Sequence, residues 1–276
     1  MPTRPSLSKI ATRLHVEESL AAGRSIGLDP GRAHFLRTVL RLQKGAPLAL
    51  FNAQDGEWLA RIDCLGKGWC SVDVVEQRRG PSSEPDLWLL FAPVKRARID
   101  FIAEKATEMG CALLQPVITR YTDVSRVNRD RLAVNAREAA EQCERLSVPE
   151  VAEPKDLRKL LAEWPSDRRI LLCVESGEAR PIAEVLQKIK LETHAASGQI
   201  EAREGGETRF SGPWAILTGP EGGFDPEERA VLRQLPFVIP VGLGPRILRA
   251  DTAAVAALAC WQAILGDADV RPPERE

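Results

Sequence analysis

Two short apolar runs late in the chain, Ala215-Ile216-Leu217 and Phe237-Val238-Ile239, each open into a loop of glycine and proline, and each loop leads into a helical stretch. The loops read Thr218-Gly219-Pro220-Glu221-Gly222-Gly223 and Gly242-Leu243-Gly244-Pro245. Apolar runs this short, bounded by turn residues, predict buried strands. Strand, loop and helix, given twice, predict an open α/β sheet, in which ligands settle beyond the carboxyl ends of the strands. Asp225, Pro226 and Glu228 predict a capped helix start. Asp251 or Thr252 is expected to cap the apolar run Thr252 to Ile264, read as a buried helix. Glycine lets backbone approach a ligand closely. The pair of loops therefore predicts a small-molecule pocket lined mainly by main chain, although either loop alone reads more readily as an ordinary turn.

The two loops also carry a family resemblance. Gly219-Pro220-Glu221-Gly222-Gly223, followed by Leu243-Gly244-Pro245-Arg246-Ile247-Leu248-Arg249-x-x-Thr252-Ala253, resembles the signature of the 16S ribosomal RNA (uracil-N3)-methyltransferases of the RsmE type. These are S-adenosyl-L-methionine-dependent enzymes of the SPOUT class. Earlier stretches fit in order. Arg13-Leu14-x-Val16 and His34-x-x-x-Thr38-Val39-Leu40-Arg41 resemble the family's N-terminal part. Lys105-x-Thr107-Glu108-Met109-Gly110 and Glu138-Ala139-Ala140-x-Gln142-x-x-Arg145-x-x-x-Pro149 resemble two further motifs. Family members often have Glu where this chain has Asp251, and Gln where it has Glu104.

The resemblance implies an α/β fold: a knotted SPOUT-type parallel sheet with helices on both faces, plus a small PUA-like β-barrel at the N-terminus. It also implies a trefoil knot made by the last loop, a homodimer with the pocket at its two-fold interface, and a uridine of the small ribosomal subunit as acceptor.

Along the chain, 1–80 is expected to be the first domain, and residues 13–80 read as short strands and turns: Pro47 to Phe51, Glu57 to Ile62 and Cys70 to Val75, with turns at Asp55-Gly56 and Gly66-Lys67-Gly68. Between them Asp29 to Arg41 predicts a short helix with Phe35, Leu36, Val39 and Leu40 as an apolar stripe and Arg37 and Arg41 on the other face. Glu76 to Asp86 reads as a linker. Strands then alternate with helices over 81–268: strands at Asp86 to Ala92, Leu113 to Ile118 and Ile170 to Glu175, helices at Ile99 to Met109 and Pro181 to Ile189. Alternation of this kind implies a parallel sheet. Residues 190–211 are expected to be an insertion without regular structure, and 269–276 a disordered tail.

Charge is read for what it says about partners. Residues 1–80 carry 12 Lys+Arg against 8 Asp+Glu, and the remainder 26 against 31. A modestly basic first part fits an anionic partner such as RNA. No apolar run is long enough to span a bilayer, and no secretory leader is evident. The six cysteines are scattered without a Cys-x-x-Cys pair, and there are three histidines. No metal cage or disulfide framework is expected, and the reading is a cytoplasmic protein with no metal.

The pocket's chemistry follows from the resemblance and the loops together. Cofactor contacts are expected from Glu175, Leu217, Thr218, Gly219, Pro220, Glu221, Gly222, Gly223, Val241, Gly242, Leu243, Gly244, Ile247, Leu248, Thr252 and Ala253. Arg249 is expected to stabilise negative charge on the uracil. Glu221 is read either as the proton acceptor or as a carboxylate that ties its loop to helix amides. Arg32, Arg37, Arg41, Lys95, Arg96, Arg98, Arg120, Arg145 and Arg246 are the candidate RNA contacts. Two other functions stay open: methylation of a ribose 2′-hydroxyl, and a non-catalytic RNA-binding assembly factor.

Overall fold

The computed structural model describes residues 10–82, 84–124, 126–175, 179–196 and 212–271. Most of the segment expected to be an insertion and the last five residues lie outside that set. The chain divides into two compact units, the first comprising Met1–Ser82 with Ala140–Val148, the second Ser83–Ala139 with Pro149–Arg271.

In the first unit, β1 (Arg13–His15), β2 (Ser25–Leu28), β3 (Pro47–Asn52), β4 (Gly56–Gly66) and β5 (Trp69–Arg79) form one sheet in the order β1-β3-β4-β5-β2. β1 runs parallel to β3, and the other pairings are antiparallel. Irregular register at three places along β4 and β5 marks bulges, which bend and twist a hairpin. Inward residues such as Leu48, Leu50, Ala60, Ile62 and Val72 are buried on one face and make a local core. The resemblance implies a barrel. Among the described residues the sheet is open, with β1 and β2 as unjoined edges.

The short helix differs from its expectation. α1 (Pro30–His34) starts as the sequence predicts, with Asp29 accepting from the Arg32 amide and proline in the first turn. It then passes into a π-helical turn over Phe35–Val39. A π turn carries more than four residues, so side chains spaced for an α-helix rotate off their shared face. Leu36 is fully buried, whereas Val39 is 61% exposed and Arg41 has left the helix with φ 53°.

Arg13 closes this unit. Its guanidinium donates to Glu57 at 2.7 Å and to the carbonyls of Ala140, Glu141 and Arg145, and it lies 4.2 Å from the Phe51 ring centre. The Ala140 and Glu141 carbonyls lie in the last turn of a long helix, where a cation is favoured by the helix dipole, and Arg145 lies just past it. Phe51 packs with Ala140 and Leu146.

The second unit is built on parallel strands: β6 (Leu87–Phe91), β7 (Leu113–Ile118), β8 (Glu150–Val151), β9 (Lys155–Asp156), β10 (Arg169–Val174), β11 (Arg180–Pro181), β12 (Trp214–Thr218) and β13 (Val238–Gly242). Their order is β11-β13-β10-β12-β6-β7-β8, with β9 beside β7. The helices are α2 (Arg96–Glu108), α3 (Arg129–Cys143), α4 (Leu157–Ala162), α5 (Ile182–Ala196), α6 (Pro226–Gln234) and α7 (Ala250–Ile264). α7 packs on β12, α2 and α5. The other face carries α4 and α6, whose Leu157, Leu160, Leu161 and Leu232 bury against Leu90, Leu172, Ala215 and Leu217. Covered on both faces, the central strands read as unbroken apolar runs rather than alternating ones.

Several ends differ from the sequence reading. α5 runs on to Ala196 instead of stopping at Ile189, so the expected insertion begins with helix. β5 extends to Arg79 into the expected linker. α7 starts at Ala250 with Arg249 in the cap position and no side-chain cap, while the Asp251 carboxylate accepts from the Thr252 amide. Gly110 has φ 75° just past α2 as expected, and Gln262 of α7 donates to the Met109 carbonyl at 2.7 Å, pinning that end.

Candidate functional site

β12, β10 and β13 are parallel neighbours, so their carboxyl ends open on one edge of the sheet. The loops that leave them converge on one cleft. β10 contributes Cys173, Val174 and Glu175, and β12 contributes Thr218 and Gly219. The loop after β13 contributes Leu243, Gly244, Arg246 and Leu248, and α7 contributes Ala250 and Ala253. Gly244 holds φ 106°, outside the range that side chains adopt readily. Gly219 faces the Phe224 ring so closely that an added Cβ would lie 3.0 Å from it.

Successive strand residues point to opposite faces. Leu217 therefore turns into the core under α4 and α6, while Thr218 turns toward the cleft. The Thr218 hydroxyl is buried and has no hydrogen-bond partner among the described residues. A buried hydroxyl left unpaired costs stability unless a ligand satisfies it. The apolar side chains Val174, Leu243 and Leu248, the close-approach glycines and this orphan hydroxyl fit a ligand with both apolar and polar faces. Arg246 and Glu175 place one cation and one carboxylate at the same cleft, which fits a ligand bearing both charges.

The loop Gly219–Phe224 is held from three sides. Arg98 donates to Glu221 at 3.3 Å and its Nε lies 4.0 Å from the Asp251 carboxylate. Tyr121 donates its hydroxyl to Asp225 at 3.2 Å. Glu228, buried, accepts from the Asp225 amide at 3.0 Å and from the Arg120 amide at 2.9 Å, closing the expected capping box and tying β7's end to it. The Glu227 amide holds the Asp225 carboxyl below the usual range, against the opposing effect of burial and aided by the Tyr121 hydroxyl and Arg120. Burial, with Cys260 nearby, pushes the Cys173 thiol up to about 12.

Of the sequence-predicted cofactor residues, Glu175, Thr218, Gly219, Leu243, Gly244, Leu248 and Ala253 line the cleft. Pro220 and Val241 are buried beside it, Gly222, Gly223 and Gly242 sit in its loops, and Thr252 is exposed in the first turn of α7. Leu217 lies in the core, and Ile247 is 80% exposed. Arg249 is exposed and makes no ion pair among the described residues. Cys173, Val174 and Ala250 line the cleft without having been anticipated.

The candidate RNA contacts are dispersed. Arg32 is engaged with the His15 carbonyl and, at 3.4 Å, with Asp29. Arg145 donates to the Ser147 hydroxyl at 2.7 Å, and Arg98 is held as above. Arg37, Arg41, Lys95 and Arg120 are exposed, and Arg246 lines the cleft. The Arg96 side chain lies outside the described set. Among the described residues no cluster of His, Cys, Asp and Glu can hold a metal, and no helix is long and apolar enough to cross a membrane.

Residues 81–262 match the family model of an RNA methyltransferase domain. The chain is 31% identical over 248 residues to the ribosomal RNA small subunit methyltransferase E of Rickettsia conorii, covering 90% of this chain and 93% of that one. It is 30% identical to the protein of the same name from Synechocystis, covering 93% and 78%. A putative methyltransferase of Legionella pneumophila in complex with the bound cofactor SAM superposes with TM-score 0.77 at 25% identity, over 93% of this chain and 98% of that one. The ribosomal RNA small subunit methyltransferase E of Neisseria gonorrhoeae bound to S-adenosyl methionine gives 0.75 at 25%, over 93% and 99%.

Proposed function

Because the chain belongs to the RNA methyltransferase family, we propose that it transfers the methyl group of S-adenosyl-L-methionine to N3 of a uridine in the 16S RNA of the small ribosomal subunit. The observation that carries this is the cleft at the ends of β10, β12 and β13, with an unpartnered Thr218 hydroxyl turned toward it. Relatives named ribosomal RNA small subunit methyltransferase E and the cofactor-bound structures support the reading.

The cofactor supplies a methyl group already activated by its sulfonium, so the protein's task is to hold two partners in line and to manage a proton. Thr218, Gly219, Leu243, Gly244 and Leu248 would hold the nucleoside, with Glu175 available to the cofactor's positive charge and Arg246 to its carboxylate. N3 of uracil carries a proton at neutral pH and lies on the pairing edge, so the base must be unpaired or turned out. Glu221 receives that proton, held in place by Arg98. Arg249, at the start of α7, steadies negative charge on the uracil oxygens.

Residues 1–80 serve as a PUA-like RNA-holding domain and 81–268 as the methyl-transferring domain, with Arg37, Arg41, Lys95 and Arg120 as phosphate contacts. The loop 242–249 threads through another to make a trefoil knot, and two copies pair about a two-fold axis. The protein works in the cytoplasm without metal.

The test is methyl transfer from labelled cofactor to small subunits taken from cells lacking this protein, followed by mass mapping of the modified nucleoside. Methyl on uridine N3 is expected. Methyl on a ribose 2′-hydroxyl would replace the acceptor, and no transfer with full cofactor binding would leave an RNA-binding assembly factor.

A further inference from the structure

A second cavity, of about 350 Å³, lies in the same unit. Val94 in the loop after β6, Ile99 of α2 and Leu132 of α3 are buried and make its apolar floor. Val124 and Val127 close it from outside. Its polar lining is Arg126, Asn128 and Arg131, with no carboxylate. Arg131 is engaged with Asp100. Asn128 spends its carbonyl oxygen on the Arg131 amide at 3.0 Å, which caps α3 and leaves its Nδ2 group as a donor. Arg126 is exposed and makes no ion pair or hydrogen bond among the described residues.

Sheet order puts this cavity next to the cofactor cleft. β6 lies against β12 on the side away from β10 and β13, and Thr218 pairs in register with Phe91. The Ala92 amide donates to the Thr218 carbonyl at 3.0 Å, and Val94 is two residues further on. Ile99 follows Arg98, the residue that holds Glu221. The segment that leads to the outer wall is fastened to the same glycine loop, since Tyr121 bonds Asp225 and an added Cβ on Gly222 would lie 3.4 Å from the Tyr121 Cβ. One loop thus borders the cleft through Gly219 and meets, through Gly222, Tyr121, three residues before the cavity-lining Val124.

We propose that this second cavity receives the unpaired target nucleotide, a uracil nucleotide of the RNA, with its ring between Val94, Ile99 and Leu132. The inference rests on the methyl-transfer reading above. Uracil offers two carbonyl acceptors and its nucleotide an anionic phosphate. The lining offers donors, Asn128 Nδ2 and Arg126, and no acidic side chain to repel them. Apolar walls suit the faces of the ring, and bases turned out of their stacks are held in this way. Methyl donor and acceptor then occupy neighbouring cavities, with the Arg98–Glu221 pair at their shared border.

The test follows the methyl groups of Val94, Ile99, Val124 and Leu132 by NMR in the full-length protein saturated with S-adenosylhomocysteine. Uridine 5′-monophosphate is added to millimolar concentration. Shifts at those residues are expected, and they should be lost in Val124→Trp, which fills the cavity. In parallel, kcat/KM on small subunits should fall about 100-fold in Val124→Trp, and KM should rise about tenfold in Arg126→Ala. Cofactor Kd should be unchanged in both.

Shifts confined to the residues of the cofactor cleft, or no shifts at all, would overturn the proposal. So would Val124→Trp that melts like wild type and methylates like wild type. A wild-type protein that shifts with the nucleotide yet transfers no methyl would keep the subsite and remove the methyl-transfer reading instead.

Discussion

Arg98 and Glu221 stand 123 residues apart in the chain and 3.3 Å apart in space. The same guanidinium reaches toward Asp251 at the start of α7. One side chain from the first helix of the second unit therefore holds a loop after β12 and the helix after β13. Both bonds are partly open to solvent, with Arg98 32% exposed, so their work is positional more than stabilising.

Arg98→Ala is expected to change the unfolding free energy by less than about 1 kcal/mol. Methyl transfer should nonetheless fall by about tenfold or more, because Glu221 loses the charge-assisted bond that aims it. Denaturant melts alongside single-turnover rates check this. A parallel loss of stability and rate would make Arg98 a structural residue only.

Thr218→Val separates folding from ligand binding. The hydroxyl has no partner among the described residues, so its removal is expected to leave stability unchanged or raised by up to about 1 kcal/mol. Cofactor Kd should rise roughly tenfold, since a bound ligand loses the bond that satisfies the group. Calorimetry and thermal unfolding on the same preparation measure both.

Glu57 makes the first unit sensitive to acid. Burial pushes its carboxyl up, but the hydrogen bond and charge of Arg13, joined by Arg79 and Arg78, outweigh this and hold it below the ordinary value. A carboxylate lowered in the folded state adds stability above its unfolded value of about 4.3, and that stability is lost as pH falls through the folded value. The urea midpoint should drop on acidification below that range. Glu57→Ala should cost roughly 3 kcal/mol at neutral pH, as three guanidinium groups lose a buried partner, and should flatten the pH dependence.

Cys173 lines the cleft but is not a reactive thiol. With its value raised to about 12 by burial, it is protonated at ordinary pH, and the thiolate is the reactive form. Labelling of the native protein with iodoacetamide at mildly alkaline pH, read by mass spectrometry, should leave Cys173 unmodified. Labelling after unfolding should reach it.

The sequence made the site legible where local rules act alone. Asp225, Pro226 and Glu228 announced their capping box, and the glycines announced loops that converge. It hid whatever depends on direction. In a strand buried on both faces, no alternation tells that Leu217 turns into the core and Thr218 toward the cleft. Ile247 reads as a pocket wall by its chemistry, and its exposure is set by the course of an irregular loop. The π turn after His34 adds a residue that no period-based reading places, which is why Val39 and Arg41 left their expected faces. The border between the two cavities was invisible for another reason: it depends on β6 lying beside β12, a pairing of segments more than a hundred residues apart.

Arg13 draws three of its partners from carbonyls between Ala140 and Arg145, residues that enter the first unit only after the chain has passed through Ser83–Ala139 of the second. During synthesis, a nascent chain ending at residue 82 still lacks those carbonyls. The first strand must wait for them with its guanidinium and Glu57 joined but its remaining donors in water. The N-terminal unit is thus laid down first and finished late, and an excised fragment of it would be a sheet with one wall missing.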